Sequence, residues 1–305
     1  MRPLNLPDPI GEPASYRVEP GDWPDEALRV ELRELAVELA IEAGRFVRDQ
    51  RPAQVDIAET KATVLDVVTV MDTEAEAMLR RSIAAERASD GVLGEEDGHT
   101  TGTSGLTWVL DPIDGTVNYL YDIPAYAVSV AVVVGDPTVA GAWTPVAGAV
   151  FNPGVDEIFD AHLGGGSRVG PAGAGSYPRA RALQAVPPAS LATALVGTGF
   201  SYDTARRRRQ GLVATQLLPQ VRDLRRIGAA SLDLCAVGAG RLNAYFESGL
   251  KPWDMAAGAL IAAEAGAVVN GLDGPPDEAM VLAAPGGLYA DLRQALARAQ
   301  RESEH

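Results

Sequence analysis

Two carboxylates, a glycine and a hydroxyl stand close together in Asp111-Pro112-Ile113-Asp114-Gly115-Thr116. The run comes straight after Thr107-Trp108-Val109-Leu110, an apolar stretch that reads as a buried strand. Asp111 and Asp114 are then expected three residues apart on a turn, which Pro112 stiffens by fixing its own φ. Gly115 allows a ligand to approach the backbone closely. Thr116 adds a hydroxyl and is placed to open a helix. A strand ending in this set can hold a hard cation beside an anion. The chemistry it points to is Mg²⁺-dependent cleavage of a phosphate ester.

Other segments are candidates to complete such a site. Gly94-Glu95-Glu96-Asp97 puts three acids in a row, which repel unless water or a cation compensates. A solvated turn is the alternative reading. In Lys251-Pro252-Trp253-Asp254-Met255-Ala256-Ala257-Gly258 an acid stands where a helix begins, a position that also suits an ordinary cap. The small residues after it let the helix pack tightly and hold Asp254 rigidly. Asp72 precedes a helix expected over Thr73 to Arg87 and reads as its cap. Asp66 reads equally as a loop acid. Glu95, Asp111, Asp114 and Asp254 together offer the oxygen ligands Mg²⁺ requires. Two or more such ions near a phosphate neutralise it, activate water and stabilise the leaving oxygen.

The elements that must position these residues follow from periodicity. Leu28, Leu32, Leu35, Leu39 and Phe46 form one apolar face, so a long helix starts at about Asp25 and ends by Arg51-Pro52. Gly91 to Gly94 is a short strand. Residues 98 to 105 are rich in Gly, Thr and Ser and are expected as a surface loop. Ala125 to Val134 is a buried strand, and Val146 to Phe151 with Val155 to Asp160 is a hairpin across Asn152-Pro153-Gly154. Residues 176 to 190 read as a linker. Beyond it strands and helices alternate: a helix carrying Arg206 to Arg209, a strand over Val221 to Ile227, helices over Ala229 to Val237 and Asp254 to Ala265, and strands between and after them. That rhythm is α/β. The four arginines read as a solvated helix face or as a patch near a substrate mouth. The expected organisation is a Pro-rich tail over residues 1–24, one half over 25–180 and a second over 181–305.

Composition narrows the partners. The chain has 305 residues, 47% of them hydrophobic, enough for a large core. Lys and Arg total 26 against 41 Asp and Glu, a formal charge of −15. Such acidity disfavours nucleic acid and anionic membranes as partners. A single cysteine, Cys235, excludes an intrachain disulfide, and it reads as a small core residue. The three histidines are scattered and give no zinc-ligand spacing. Neither a membrane span nor a signal peptide is evident, so a cytoplasmic location is expected. The Gly-rich stretch 164–175 matches no dinucleotide fingerprint, and no ATP-binding P-loop is present.

Taken together, the Gly94-Glu95-Glu96, Asp111-to-Thr116 and Trp253-to-Gly258 segments resemble the signature motifs of the inositol monophosphatase family, in order and spacing. Lys61, Asp66 to Thr69 and Asp72 resemble a further element of it. The likeness runs from about Val30 to Leu296 and is closest to bacterial, actinobacterial-type members. It implies an α/β fold, the layered αβαβα sandwich of the inositol monophosphatase and fructose-1,6-bisphosphatase type. It implies two to three Mg²⁺ ions. Glu95, Asp111 and the Ile113 carbonyl would hold the first, Asp111, Asp114 and Asp254 the second, and Glu95 would face a third, weaker one. It gives Thr116 and Glu95 the attacking water, with Asp72 supporting Thr116, and it gives the phosphate to the N–H groups of Gly115 and Thr116. Glu247 matches an acid that binds ring hydroxyls, and Gly228 and Ala230 match the pocket beside it. A small phosphorylated polyol, lithium inhibition and a homodimer are further implications. Asp97, Tyr119 and Lys251 depart from the common pattern without removing a ligand. The same chemistry on fructose-1,6-bisphosphate, adenosine-3′,5′-bisphosphate or histidinol phosphate is the alternative. A regulatory protein-binding role on the same fold is a third reading.

Overall fold

The computed structural model describes residues 23–52, 57–60, 67–173 and 180–303. Lys61, Asp66 and nearly all of the Pro-rich tail lie outside the described residues.

Helix α1 (Glu26–Asp49) begins where expected, with the Asp25 side chain accepting the Leu28 N–H at 2.9 Å. After β1 (Ile57–Thr60) and β2 (Val67–Thr69) comes α2 (Val70–Glu86). Its N-cap is Thr69, so it starts before the expected Thr73. Asp72 is not the cap but the third residue of the first turn, and it reaches back to accept the Thr69 N–H at 2.8 Å. An acid at this third position accepts the N–H of the cap residue itself, the reciprocal half of a capping box, so an acid near a helix start does not by itself mark the cap.

An eight-stranded sheet follows, built from β3 (Gly91–Gly94), β4 (Gly98–Thr100), β5 (Leu106–Asp114), β6 (Ala127–Gly135), β7 (Trp143–Asn152), β8 (Glu157–His162), β9 (Ser167–Pro171) and β10 (Arg181–Ala182), with α3 (Thr116–Leu120) between β5 and β6. Its order is β10-β9-β8-β7-β6-β5-β3-β4. All neighbours are antiparallel except β3 and β5. Strand β4 corrects the expected loop at 98–105. Its polar residues suit the exposed edge it occupies, and its register is set by pairing Thr100 with Val92.

The second sheet holds β11 (Leu195–Thr198), β12 (Asp223–Arg225), β13 (Ala244–Glu247), β14 (Ala267–Asn270) and β15 (Val281–Pro285) in the order β12-β11-β13-β15-β14. Strand β12 is shorter than the Val221–Ile227 expected, and residues 226–229 leave it as a loop. Helices α4 (Thr204–Leu217), α5 (Ala230–Gly238), α6 (Pro252–Glu264) and α7 (Gly286–Ser303) complete the chain.

The packing gives five layers. Helices α1 and α2 cover one face of the large sheet, and α5 and α6 lie between the two sheets. Helices α4 and α7 pack together, and α7 covers the outer side of the small sheet. This is the αβαβα sandwich. Trp108, Leu110 and Phe151 are fully buried in its main core, and Cys235 is buried with them. The small-residue face of α6 does the expected work. A Cβ on Gly258 would lie 2.8 Å from Leu234 Cβ, and one on Gly148 would lie 3.2 Å from Ala257. The helix therefore sits close enough to fix whatever its first turn carries. Among the described residues, no helix is long and apolar enough to cross a membrane.

Candidate active site

Asp111 and Asp114 are not on a turn. Both are within β5, whose pairing with β6 slips between them. Asp111 faces Ser129 and Asp114 faces Ala127, so three steps on β5 match two on β6. Residues three apart on a regular strand point to opposite faces, and one extra residue brings them to the same side. Pro112, which has no N–H to give a ladder, is tolerated in such an irregularity.

Each acid is held by backbone N–H groups. Asp111 Oδ1 accepts from Ile113 N at 3.0 Å. Asp114 accepts from Ala230 N at 3.1 Å and Ser231 N at 2.7 Å, and also from the Ser231 hydroxyl. The N-cap residue of α5 is Ala229, which has no side-chain oxygen, so Asp114 caps the helix instead, accepting from Ala230 N 116 residues away. Asp254 stands in the first turn of α6, not before it, and accepts from Lys251 N at 2.6 Å. Asp72 accepts from the Thr69 N–H and hydroxyl with Oδ2, while its Oδ1 lies 3.3 Å from the Thr116 hydroxyl. The Thr116 hydroxyl also lies 3.1 Å from the Ile113 carbonyl.

One cavity of about 400 Å³ gathers Glu95, Asp111, Ile113, Asp114, Gly115, Thr116, Gly228, Ala230, Glu247 and Asp254. Asp72 stands behind it and reaches it through Thr116. Glu247 ends β13, and its carboxylate accepts from the Tyr245 hydroxyl. Gly115 has φ of +92°, and a Cβ there would lie 3.0 Å from the Ala125 carbonyl. A side chain at this position would be strained and crowded on the cavity wall.

The electrostatics follow from burial. Desolvation pushes Asp111 well above the ordinary carboxylate range, and the charges of Glu95, Asp114 and Asp254 push it further. Asp254 is raised by burial and then by Glu95 and Asp114. Asp114 is also raised by burial, against the pull of its Ser231 and Ala230 donors. Burial takes Asp72 up to about 7, and Glu247 likewise up to about 7 although Tyr245 opposes it. Acids that raise one another this way are short of positive charge, and a divalent cation supplies it. Among the described residues, no three His, Cys, Asp or Glu side chains stand close enough together to hold a metal ion. The donors are nonetheless all carboxylate or carbonyl oxygens, the type a small hard cation such as Mg²⁺ takes while keeping several waters.

Several residues at or beside the cavity carried no local motif. Asn118 donates to the Ala125 carbonyl at 2.7 Å and the Ile227 carbonyl at 2.9 Å, tying the 226–229 loop to α3. Asp233, buried in α5, lines the same cavity, and its Oδ1 has no hydrogen-bond partner among the described residues. A lone acid in the apolar run Leu232 to Val237 was the available signal. The arginine run divides. Arg206 lines the cavity and pairs with Glu278 at 3.2 Å, and Lys251 pairs with the same carboxylate at 2.9 Å. Arg207 donates to the Ser201 carbonyl at 2.7 Å, and Arg208 and Arg209 face solvent.

A profile of the inositol monophosphatase family matches residues 28–305. The chain belongs to that family. It is 45% identical over 253 residues to the inositol-1-monophosphatase of Mycobacterium bovis, covering 78% of this chain and 83% of that protein. It is 32% identical over 265 residues to the Nus factor SuhB of Vibrio cholerae, covering 85% and 93%. Mycobacterium tuberculosis SuhB superposes with a TM-score of 0.73 at 43% identity, over 89% of this chain and 97% of that one. The family match takes in both sheets and every residue placed on the cavity. The chain is a phosphatase of a generally metal-dependent family.

Proposed function

We propose that this phosphatase hydrolyses a phosphate monoester of a small polyol, foremost myo-inositol 1-phosphate, with two to three Mg²⁺ ions and water as the nucleophile. What supports it most is the meeting, on one cavity, of acids from three elements with Glu247, Gly228 and Ala230. Glu95, Asp111 and the Ile113 carbonyl are the donors for one cation, and Asp111, Asp114 and Asp254 for a second. Glu95 is the donor for a third, weaker one. Mg²⁺ held there neutralises the phosphate and the leaving oxygen and makes water a better nucleophile.

The protein's own groups do the rest. The Thr116 hydroxyl, its proton directed at Asp72 or the Ile113 carbonyl, turns a lone pair to a water proton, and Glu95 accepts the other. The N–H groups of Gly115 and Thr116 take phosphate oxygens. Glu247 accepts from the ring hydroxyls, and Gly228 and Ala230 shape the wall beside it. The working form we propose is a cytoplasmic homodimer without nucleic-acid or membrane partners. The exposed apolar side chains of Tyr121 and Ile123, just beyond α3, are suited to self-contact.

Phosphate release from inositol 1-phosphate, fructose-1,6-bisphosphate, adenosine-3′,5′-bisphosphate and histidinol phosphate, with and without Mg²⁺, tests the reading. A Mg²⁺-dependent, Li⁺-inhibited preference for the inositol ester is expected, and Asp111→Asn should abolish it. A preference for another ester replaces the substrate and keeps the metal chemistry. No Mg²⁺-dependent release from any of them refutes it. The relative named as a Nus factor favours a second, regulatory reading, which full complementation in cells by Asp254→Asn would support.

A further inference from the structure

Glu76 belongs to no motif, yet its side chain is completely buried. It lies on α2 one turn after Asp72, so the two acids share a helix face. Its carboxylate accepts from Glu96 N at 2.8 Å and from Asp97 N at 2.9 Å. Arg80 Nε donates to it at 2.8 Å, and Arg80 Nη2 donates to the Gly98 carbonyl at 2.6 Å. The carboxylate lies so close over the end of β3 that a Cβ on Gly94 would come within 2.2 Å of its Oε1. On the other side, the Glu95 N–H donates to the Leu110 carbonyl at 3.2 Å, next to Asp111. The backbone of Glu95 is therefore held between β5 and Glu76. Two anchored N–H groups immediately after it fix the turn, with Glu95 on the cavity and Asp97 in solvent.

The Arg80 guanidinium offsets the charge of this buried carboxylate, so what Glu76 delivers to the site is geometry: two N–H bonds on the turn that carries Glu95.

We propose that Glu76 is the positioning residue of Glu95, and that through it α2 sets the affinity of the site for its divalent cation. The proposal rests on the function given above. Asp72 supports Thr116 and Glu76 supports Glu95, so one helix face aligns both groups that would orient the water.

The test is calorimetric titration of Mg²⁺ into metal-free wild type, Glu76→Gln and Arg80→Lys, alongside KM and kcat at saturating Mg²⁺. An amide at 76 offers one acceptor oxygen, so one of the two N–H groups loses its partner. Glu76→Gln is expected to weaken Mg²⁺ binding by about tenfold or more, the scale seen when a group supporting a ligand is removed. Substrate KM at saturating Mg²⁺ should change little. Arg80→Lys leaves both N–H bonds and the charge in place but cannot bridge Glu76 and the Gly98 carbonyl as the guanidinium does, and should weaken Mg²⁺ binding less, in the same direction. It carries the test if Glu76→Gln does not fold. A folded Glu76→Gln (or, failing that, Arg80→Lys) that binds Mg²⁺ like wild type overturns the proposal alone. Wild type that binds no Mg²⁺ overturns it together with the proposed function.

Discussion

Replacing Asp114 by Asn should leave the metal-free protein less stable than the same change at Asp111 does, although both remove one charge from the same cluster. The difference lies in what each carboxylate accepts. Asp111 takes a single N–H, from Ile113, on one oxygen, and an amide oxygen can take its place. Asp114 takes Ala230 N on Oδ1 and Ser231 N with its hydroxyl on Oδ2. An amide has one acceptor oxygen. Turned to Ser231, it presents NH₂ to the Ala230 N–H and leaves the start of α5 without a partner. A hydrogen bond to a charged group is worth about 1.5–3 kcal/mol, so the hydrogen-bond loss is about 2 kcal/mol. Charge works the other way and is common to both variants. A buried carboxyl whose folded pKa is raised disfavours the folded state at neutral pH, so neutralising it helps. In EDTA, Asp111→Asn should melt at or above wild type. Asp114→Asn should melt about 4 °C below Asp111→Asn, at roughly 2 °C per kcal/mol for a chain this long. Mg²⁺ should then raise only the wild type, by about 2.7 kcal/mol at a hundredfold excess over Kd. Thermal melts of the three proteins in EDTA and in Mg²⁺ decide it. Equal losses in the two variants without metal would refute the capping role of Asp114.

Asn118→Ala leaves the Ala125 and Ile227 carbonyls without their donor, at a cost of about 2–3 kcal/mol in urea unfolding. Because it frees the Gly228 wall, substrate KM should rise while calorimetric Mg²⁺ affinity holds; an unchanged KM would count against that wall as a substrate surface. Asp90 supplies the pH test. Burial raises its pKa, but the Arg87, Ser104 and Trp108 hydrogen bonds outweigh that and hold it below 3.8. Its contribution is therefore complete above about pH 4–5 and is lost as pH falls through the folded value. Urea unfolding of wild type and Asp90→Asn should differ by about 2 kcal/mol at pH 7 and converge toward pH 3. A constant gap would refute the assignment.

Much of the layered fold was legible because its elements advertise themselves locally. The apolar face of α1, the strand before Asp111 and the small residues of α6 are short-range patterns. The motif segments were equally plain. What stayed hidden depends on chain far away. Nothing near Asp111 announces the slip opposite Ser129 that turns two acids to one side. Nothing near Ala229 says that its helix is capped from β5. Strand β4 looks like a loop because an exposed edge strand needs no apolar face, only a neighbour to pair with. Glu76 left one faint trace, an acid one helical turn from Asp72.

The acids of this protein sort by what holds them, and that sorting separates structure from chemistry better than burial does. Asp90 is paired with Arg87 and Asp160 with Arg168, and both are buried. Such an ion pair cancels the charge inside the protein, so nothing remains for a ligand. Among the described residues, Asp72, Asp111, Asp114 and Asp254 form no ion pair with Lys or Arg. They are steadied instead by neutral N–H groups of Thr69, Ile113, Ala230, Ser231 and Lys251. A neutral donor fixes the rotamer and lowers the cost of burial without neutralising the charge. Apart from the Arg226 charge that acts on Asp114, the carboxylates are left oriented with their charge uncancelled, which is the condition for attracting a divalent cation. Glu76 falls between the two groups, with two N–H donors and one arginine, as befits an acid that steadies a ligand without being one.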